Sequence, residues 1–281
     1  MPKLAIVTDS SAYLPADLLQ RYGIQVIPLN VHFNGSLYKD GVDITEEEFF
    51  RKLAAAPELP STSQPSAGEF AEFFRRAAQG ADGVVAIVLS SSLSGTYSSA
   101  ITAKDMLPDL PIAVVDSRTT SMGMGFLVLA AARAAQEGKS LEEVVTVVEG
   151  LVNRVSVVFM PDTLKYLAKG GRIGNAAALM GSVLAIKPLL EVAGGKVEPL
   201  EKVRTRSKAI ARLVGVLKER CDGRPAHVAV IHTLAPQEAE QIRQQIARDF
   251  PHVSELFTTG VSPVIGTHVG PGCLGLCFYA E

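Results

Sequence analysis

The chain has 281 residues, of which 47% are apolar and 20% charged, which excludes a disordered chain and leaves room for one large or two medium domains. A formal net charge of −2 gives no electrostatic case for nucleic acid or an anionic membrane surface. Cys221, Cys273 and Cys277 make neither a disulfide framework nor a zinc-ligand set, and no stretch reads as a signal peptide or a bilayer span, so the expectation is a cytoplasmic protein with reduced thiols and no integral membrane contact.

Leu4 to Thr8 reads as a first strand, ending in Asp9, Ser10 and Ser11. A helix follows from about Pro15 to Tyr22, with proline in its first turn and Gly23 as its C-cap. Ile24 to Phe33 alternates and reads as one second strand. Asn34-Gly35 is a hairpin turn that sends Ser36 to Lys39 back antiparallel. Thr45 caps a helix to about Ala55, with Glu48 placed to complete a capping box. Pro57 to Gly68 reads as a loop in which two prolines stiffen a run of hydroxyls, Ser61, Thr62 and Ser63, beside Gln64. Such a run is ordered around a ligand at low entropic cost, and is also an ordinary polar connection. Ser66 caps the helix Ala67 to Gln79 with Glu69 three residues on.

Val84 to Leu89 is an uninterrupted, β-branched apolar run, the signature of a strand buried on both faces. It runs into Ser90, Ser91, Ser92, Leu93, Ser94 and Gly95, and then into a helix through Tyr97, Ala100 and Ala103. Hydroxyls and first-turn N–H groups therefore gather at a strand's carboxyl end and a helix's amino end, where an anion binds well. The same geometry serves a Ser94 that only caps the helix. Ile112 to Val115 is the next strand, followed by Asp116 and Ser117. Thr119 to Gln136 is apolar nearly all round and reads as a buried helix. Gly123-Met124-Gly125 lacks the third glycine of a dinucleotide fingerprint. Ser140 caps a helix from Leu141 to Asn153. To this point strand and helix alternate, which favours a doubly wound parallel sheet.

Beyond Arg154 the pattern changes. Val155 to Met160 is a strand, Thr163 to Ala168 a short helix, and a further helix runs from about Gly174 to Ala185. Ile186 to Val192 and Lys196 to Val203 form a hairpin turned at Gly194-Gly195. Arg204, Thr205 and Arg206 open a helix to near Cys221. His227 to His232 and Val253 to Thr258 supply strands, with a helix from Pro236 to Asp249 between them, and Gly270 to Tyr279 closes the chain. The expected fold is α/β with two domains: residues 1–153, a parallel three-layer α/β/α sheet, and residues 154–281, a mixed-sheet α+β domain. Arg172, set among glycines, and Arg204 and Arg206 stand out as basic residues. His268 lies in Ile265 to Gly272, read as a flexible loop.

Taken in series, Asp9-Ser10-Ser11, Ser61-Thr62-Ser63-Gln64-Pro65-Ser66, Ser92-Leu93-Ser94-Gly95-Thr96-Tyr97, Val115-Asp116-Ser117, Gly170-Gly171-Arg172-Ile173, Ile186-Lys187-Pro188 and Gly266-Thr267-His268-Val269-Gly270-Pro271-Gly272 resemble the DegV family over nearly the whole chain. The resemblance implies a protein that holds a long-chain fatty acid, such as palmitate or oleate, between two domains. It also implies a non-catalytic role, without a cofactor, as the binding subunit of a bacterial fatty acid kinase. Such a subunit presents the carboxylate to a separate ATP-dependent kinase subunit and carries the acyl phosphate toward phospholipid synthesis. By the same resemblance Thr62 and Ser94 bond the carboxylate, N–H groups near Gly95 and Thr96 assist, His268 lies close, and Arg172 and Arg204 handle phosphate or dock the partner. A long acyl tail brings roughly 10 kcal/mol gross, at about 0.8 kcal/mol per buried CH₂, and for such a tail Met122, Met124, Phe126 and Leu127 of the apolar helix are a candidate tunnel wall as well as ordinary core.

Two other classes compete. A serine hydrolase or acyltransferase would use Ser94 with His268 and either Asp9 or Asp116, although Leu93-Ser94-Gly95 is no G-x-S-x-G elbow. A nucleotide-using kinase would need a phosphate loop, and Gly194-Gly195-Lys196 sits in a hairpin instead.

Overall fold

The structure is a computed structural model that describes residues 2–180 and 186–281. In the first half, β1 (Leu4–Asp9), α1 (Ala16–Tyr22), β2 (Gln25–Ile27), β3 (Asn30–Phe33), β4 (Ser36–Lys39), α2 (Glu46–Ala54), β5 (Ser61–Ser63), α3 (Ala67–Ala77), β6 (Gly83–Val88), α4 (Thr96–Asp105), β7 (Ile112–Asp116), α5 (Ser121–Gln136) and α6 (Leu141–Val152) follow in order. Strands β2-β1-β6-β7 form a sheet in which every pairing is parallel. All six residues of β6 are buried, as its unbroken apolar run requires. Val84, Ala86 and Val88 face Phe70, Phe74, Ala100 and Ala103 of α3 and α4, while Val85 and Ile87 face α5 and α6. Ser66 and Ser140 cap α3 and α6 with complete capping boxes. Thr45 Oγ1 accepts the Glu48 N–H at the start of α2, whereas the Glu48 carboxylate turns to Lys52 at 3.4 Å.

The reading of Ile24 to Phe33 as one strand is corrected. Pro28 fixes φ and has no N–H to give a ladder, so the run breaks there. Its first part, β2, joins the parallel sheet. Its second, β3, leads a separate antiparallel sheet of order β4-β3-β5. Asn34 and Gly35 turn the expected hairpin with φ of +49° and +77°, the left-handed pair that a tight hairpin demands. The third strand of this sheet comes from the supposed loop: Ser61, Thr62 and Ser63 pair with His32, Val31 and Asn30. Three hydroxyl residues carry no apolar alternation to announce a strand, yet they satisfy the open edge of β3.

The second half comprises β8 (Ser156–Met160), α7 (Lys165–Lys169), a 3₁₀ turn at Gly174–Leu179, β9 (Lys187–Ala193), β10 (Lys196–Val203), α8 (Arg206–Cys221), β11 (Ala226–His232), α9 (Pro236–Asp249), β12 (Val253–Thr259), α10 (Pro263–Val269) and β13 (Leu274–Ala280). The helix expected to run to Ala185 is a 3₁₀ turn as far as Leu179, and residues 181–185 of that expectation lie outside the described residues. The sheet order is β10-β9-β8-β13-β11-β12, with β11–β12 its one parallel pairing among the described residues. Helices α8 and α9 cover one face of this mixed sheet. Val157, Phe159, Ala229 and Ile231 on the other face share a core with α5 and with Ile6, Val85 and Ile87 of the parallel sheet. Helix α5 is thus enclosed between two sheets, which accounts for its apolar circumference.

The segment around His268, read as a flexible loop, is helical. Ser262 Oγ accepts the Ile265 N–H and Pro263 occupies the first turn, two start signals masked by the surrounding glycines. Gly266 serves contact here. A Cβ would lie 2.9 Å from Phe50 Cζ and 3.1 Å from Phe49 Cε1, so its absence lets α10 seat on α2. Gly266→Val should therefore lower the unfolding free energy by about 1–3 kcal/mol through overpacking. Gly150→Ala on α6, where a Cβ meets nothing within 4 Å, should raise it by about 0.5–1 kcal/mol. Urea melts of the two variants check both signs.

Candidate functional site

A cavity lies where the carboxyl ends of the parallel strands face the mixed sheet and α10. Its walls are largely apolar: Val157 and Phe159 of β8, Val192 and Val197 of the β9–β10 hairpin, Ile231 of β11, and Val264 and Ile265 of α10. Its polar lining includes Thr62, Ser63, Gln64, Ser94, Arg172 and His268, drawn from four separate stretches of chain.

Strand β5 and helix α10 bring the first pair together. Thr62 Oγ1 stands 2.9 Å from His268 Nε2 across 206 residues of sequence. Burial, helped by the Arg172 charge, pushes the His268 imidazole down to about 4, so it is neutral near pH 7. Its Nδ1 is buried against Gly170 without a hydrogen-bond partner, and a Cβ on Gly170 would approach that atom to 2.3 Å. An unpartnered acceptor is the less costly of the two arrangements, so the proton belongs on Nε2. His268 then donates to Thr62, and the Thr62 O–H is free to donate into the cavity.

The serine turn supplies the second group. Asp9 Oδ2 accepts the Leu89 N–H at 2.7 Å and Asp116 Oδ1 the Ser91 N–H at 3.1 Å, fixing the chain as it leaves β6. Ser94 Oγ lies 2.9 Å from Thr96 Oγ1 and accepts the Thr96 N–H at 3.3 Å. Ser94 thus both touches the cavity and satisfies one N–H at the start of α4, so the two readings of this residue coexist. The N-cap position itself is Gly95, with no side-chain cap, so later first-turn N–H groups stay open. A Cβ on Gly95 would meet Gln64 Nε2 at 2.7 Å, so glycine here admits the Gln64 side chain. Thr96 is fully buried behind Ser94, and neither it nor Gly95 lines the cavity.

Arg172 reaches the cavity from the segment after α7. Its Nε donates to the Leu93 carbonyl at 3.0 Å and its Nη1 to the Gly170 carbonyl at 2.7 Å, which holds the guanidinium beside Ser94 and His268. Arg204 is exposed ahead of α8 and does not line the cavity, so the structure does not bring it to this group. Arg206 is held by Glu238 at 2.7 Å and by the Gly272 carbonyl at 2.9 Å. The proposed tunnel wall is corrected too. Met122, Met124, Phe126 and Leu127 are fully buried core, and α5 contributes only Ser121, with Thr120 just before it, because packing between two sheets consumes the remainder. Sequence reasoning gave no site role to Thr120 or Gly170, and read Gln64 only as part of the hydroxyl-rich loop. Glycine at 170 was visible, but the imidazole it makes room for lies 98 positions away in the sequence.

The geometry gives little to a hydrolase. His268 faces Thr62 rather than Ser94, and no carboxylate orients its Nδ1. Asp9 is engaged with Ser11 and Leu89, and Asp116 with Ser91 and Arg118.

A family model described as "Uncharacterised protein, DegV family" matches residues 3–281. This chain belongs to the DegV family. Among DegV relatives, a DegV domain-containing protein of Streptomyces coelicolor is 44% identical over 274 residues, spanning 97% of each chain. Two solved structures superpose over the full length of both chains. One is a DegV family protein from Thermus thermophilus described by its fatty acid binding, with a TM-score of 0.95 and 35% identity. The other is DegV from Bacillus subtilis, described as a fatty acid binding protein, with a TM-score of 0.93 and 36% identity.

A neutral, buried His268 has a consequence for acid stability. Its folded-state pKa of about 4 lies below the ordinary 6.5, so between these values the unfolded chain binds more protons and stability falls as pH is lowered. Relative to His268→Gln, the parent should lose of order 3 kcal/mol at most over that window. Parallel denaturant melts from pH 7 to 4 measure the difference. Identical profiles would place His268 in a solvated, ordinary setting.

Proposed function

We propose that the cavity binds a long-chain fatty acid and that the protein presents its carboxylate to a separate ATP-dependent kinase subunit for acyl-phosphate formation. The observation that carries this reading is the pairing of an apolar-walled cavity with a compact head group of donors: Thr62 backed by neutral His268, Ser94 beside the open end of α4, and Arg172. The fatty acid binding described for the Thermus and Bacillus relatives supports it. A buried carboxylate must be hydrogen-bonded to stay ionised, and this site offers hydroxyl, N–H and guanidinium donors. The tail adds affinity at about 0.8 kcal/mol per CH₂ transferred from water, before ordering costs.

A carrier rather than a catalyst fits the remaining features. His268 lacks the partners of a general base, and among the described residues no cluster of His, Cys, Asp or Glu is arranged to hold a metal ion. Gly194, Gly195 and Lys196 turn the β9–β10 hairpin instead of joining a strand to a helix, so no phosphate loop forms there. No helix among the described residues is long and apolar enough to cross a membrane. We assign the protein to the cytoplasm, in lipid metabolism, without a cofactor. Exposed Arg204 is assigned to partner docking, in contrast to Arg172, which touches the ligand.

Native mass spectrometry of freshly purified protein, with organic extraction, should show a mass excess matching a fatty acid. Thr62→Ala with Ser94→Ala should lower affinity for added palmitate or oleate by about a hundredfold or more, since each of the two lost hydrogen bonds to a charged group is worth roughly 1.5–3 kcal/mol. An apo mass that takes up neither acid would overturn the reading. Arg204→Ala should leave fatty-acid binding intact and reduce acyl-phosphate yield with the kinase subunit; unchanged yield would remove Arg204 from the docking surface.

A further inference from the structure

The β9–β10 hairpin is held unequally along its length. Its lower part is tied by ion pairs, Lys187 to Asp162 at 2.6 Å, Glu191 to Arg220 at 2.6 Å and Glu201 to Arg212 at 2.7 Å. Pairing with β8 is confined to the same part. Leu190 and Glu191 pair with Phe159 and Val158, and the ladder stops there although β8 continues to Ser156. The tip, Val192 to Val197, therefore leaves the edge of the sheet, while β9 and β10 stay paired with each other as far as Ala193 and Lys196. A register shift between Pro199 and Glu201 lies opposite Leu190 and Leu189, next to the point of departure. Such a bulge bends the strand that carries it, and Pro199 has no N–H to stiffen the ladder.

The tip lies over the cavity. Val192 and Val197 line it, whereas Ala193, Gly194 and Lys196 are exposed on the outside. At its end the tip meets the serine turn of the first half, where Ser90 Oγ donates to the Gly195 carbonyl at 2.8 Å in a buried contact. A Cβ on Gly195 would stand 2.7 Å from that hydroxyl, so the approach requires glycine. Among the described residues no other hydrogen bond or ion pair joins the hairpin to the first half. The 3₁₀ turn also packs on the hairpin, with Asn175 Nδ2 donating to Glu198 at 2.9 Å, but it belongs to the second half and does not restrain the tip against Ser90. Ser90 Oγ also accepts the Ser92 N–H at 3.3 Å, and the Ser90 carbonyl accepts the Leu93 and Ser94 N–H groups. The contact is thus part of the turn that presents Ser94.

We propose that the tip of the β9–β10 hairpin, Val192 to Val197, is a lid that swings about the Pro199–Glu201 bulge to pass the fatty acid, with the Ser90–Gly195 contact as its latch. The cargo is taken from the fatty-acid reading; the movement of the tip does not depend on it. Opening breaks one hydrogen bond and uncovers the two valines. The ion pairs of the lower part, the β8 pairing and the β9–β10 ladder all stay intact, so no strand has to unfold. Thr62, Ser94, Arg172 and His268 lie outside the moving part and keep their places.

Cys273 is buried and lines the cavity, so its modification by methyl methanethiosulfonate in the ligand-free protein, followed by peptide mass spectrometry, reads opening without any fatty acid. Ser90→Ala removes the latch and should speed this reaction about fivefold. Gly195→Ala leaves the serine hydroxyl in place but pushes the tip off it, and should act in the same direction. Cys277, buried but outside the cavity lining, should react no faster in either variant, which separates a moving lid from general loosening. Stopped-flow transfer of bound cis-parinaric acid to excess albumin should accelerate alongside Cys273, with affinity close to the parent's, because the lid closes over the empty and the filled cavity alike. Ser90→Cys with Gly195→Cys, oxidised to a disulfide, should slow both Cys273 modification and parinarate transfer, and reduction should restore them. If that pair does not fold or oxidise, the two single variants decide. Unchanged Cys273 reactivity in both single variants, acceleration shared equally by Cys277, or undiminished reactivity in the locked form would overturn the proposal. Cys273 responding as expected while no form takes up parinarate would sink the fatty-acid reading and leave the lid standing.

Discussion

Helix α5 sets the spacing on which the rest of this molecule depends. It lies between the parallel sheet and the mixed sheet, with Met122, Met124, Phe126 and Leu127 wholly buried. A helix with its side chains is about 10–12 Å across. Two sheets separated by that diameter stay in contact only while helix fills the gap. At the N-terminal end of α5 the helix stops, and the cavity lies there, with Thr120 and Ser121 at its edge and Val157, Phe159 and Ile231 of the mixed sheet along its side. The apolar wall follows because those strand positions would otherwise have packed on helix.

The chemistry of the head group follows from where this space opens. It meets the carboxyl ends of β6 and β7, the place where parallel strands deliver helix N-termini and their free N–H groups. The donors here are mostly neutral. His268 is uncharged because it is buried beside Arg172, and it orients Thr62 instead of adding a second positive charge. A carboxylate held by hydroxyls and one guanidinium is stabilised without the deep electrostatic well that several cations would create. An anion bound this way can be surrendered, as the proposed carrier role requires. Arg172 is itself restrained by the Leu93 and Gly170 carbonyls, so its charge is fixed in position before any ligand arrives.

What could be read from the sequence was local. The β6 run, the Ser66 and Ser140 capping boxes and the Asn34-Gly35 turn each encode their structure within a few residues, and each is found as expected. The nonlocal choices were hidden. Pro28 divides one alternating run between two sheets, and nothing in Ser61-Thr62-Ser63 announces that it will pair with β3. His268 sits among glycines that suggest a loop, yet Ser262 and Pro263 start a helix there. Family resemblance named Thr62, Ser94, Arg172 and His268, and the fold gathers all four on one cavity. Residue type alone had given each of them an ordinary structural alternative.

The same reasoning separates glycines that serve conformation from glycines that serve contact. Gly194 and Gly195 take φ of +58° and +83° to turn a hairpin. Gly170 has an ordinary φ, and any residue could adopt its backbone. It is glycine because an imidazole occupies the place of its side chain. Gly95 and Gly266 are alike in this respect, one admitting Gln64 and the other Phe49 and Phe50. All three lie at or near junctions that build the donor group: the Ser94 turn, the Arg172 segment and α10. Backbone packed this closely leaves its side chains little freedom, so the positions of Thr62, Ser94, Arg172 and His268 are fixed by contacts that none of those four residues makes alone.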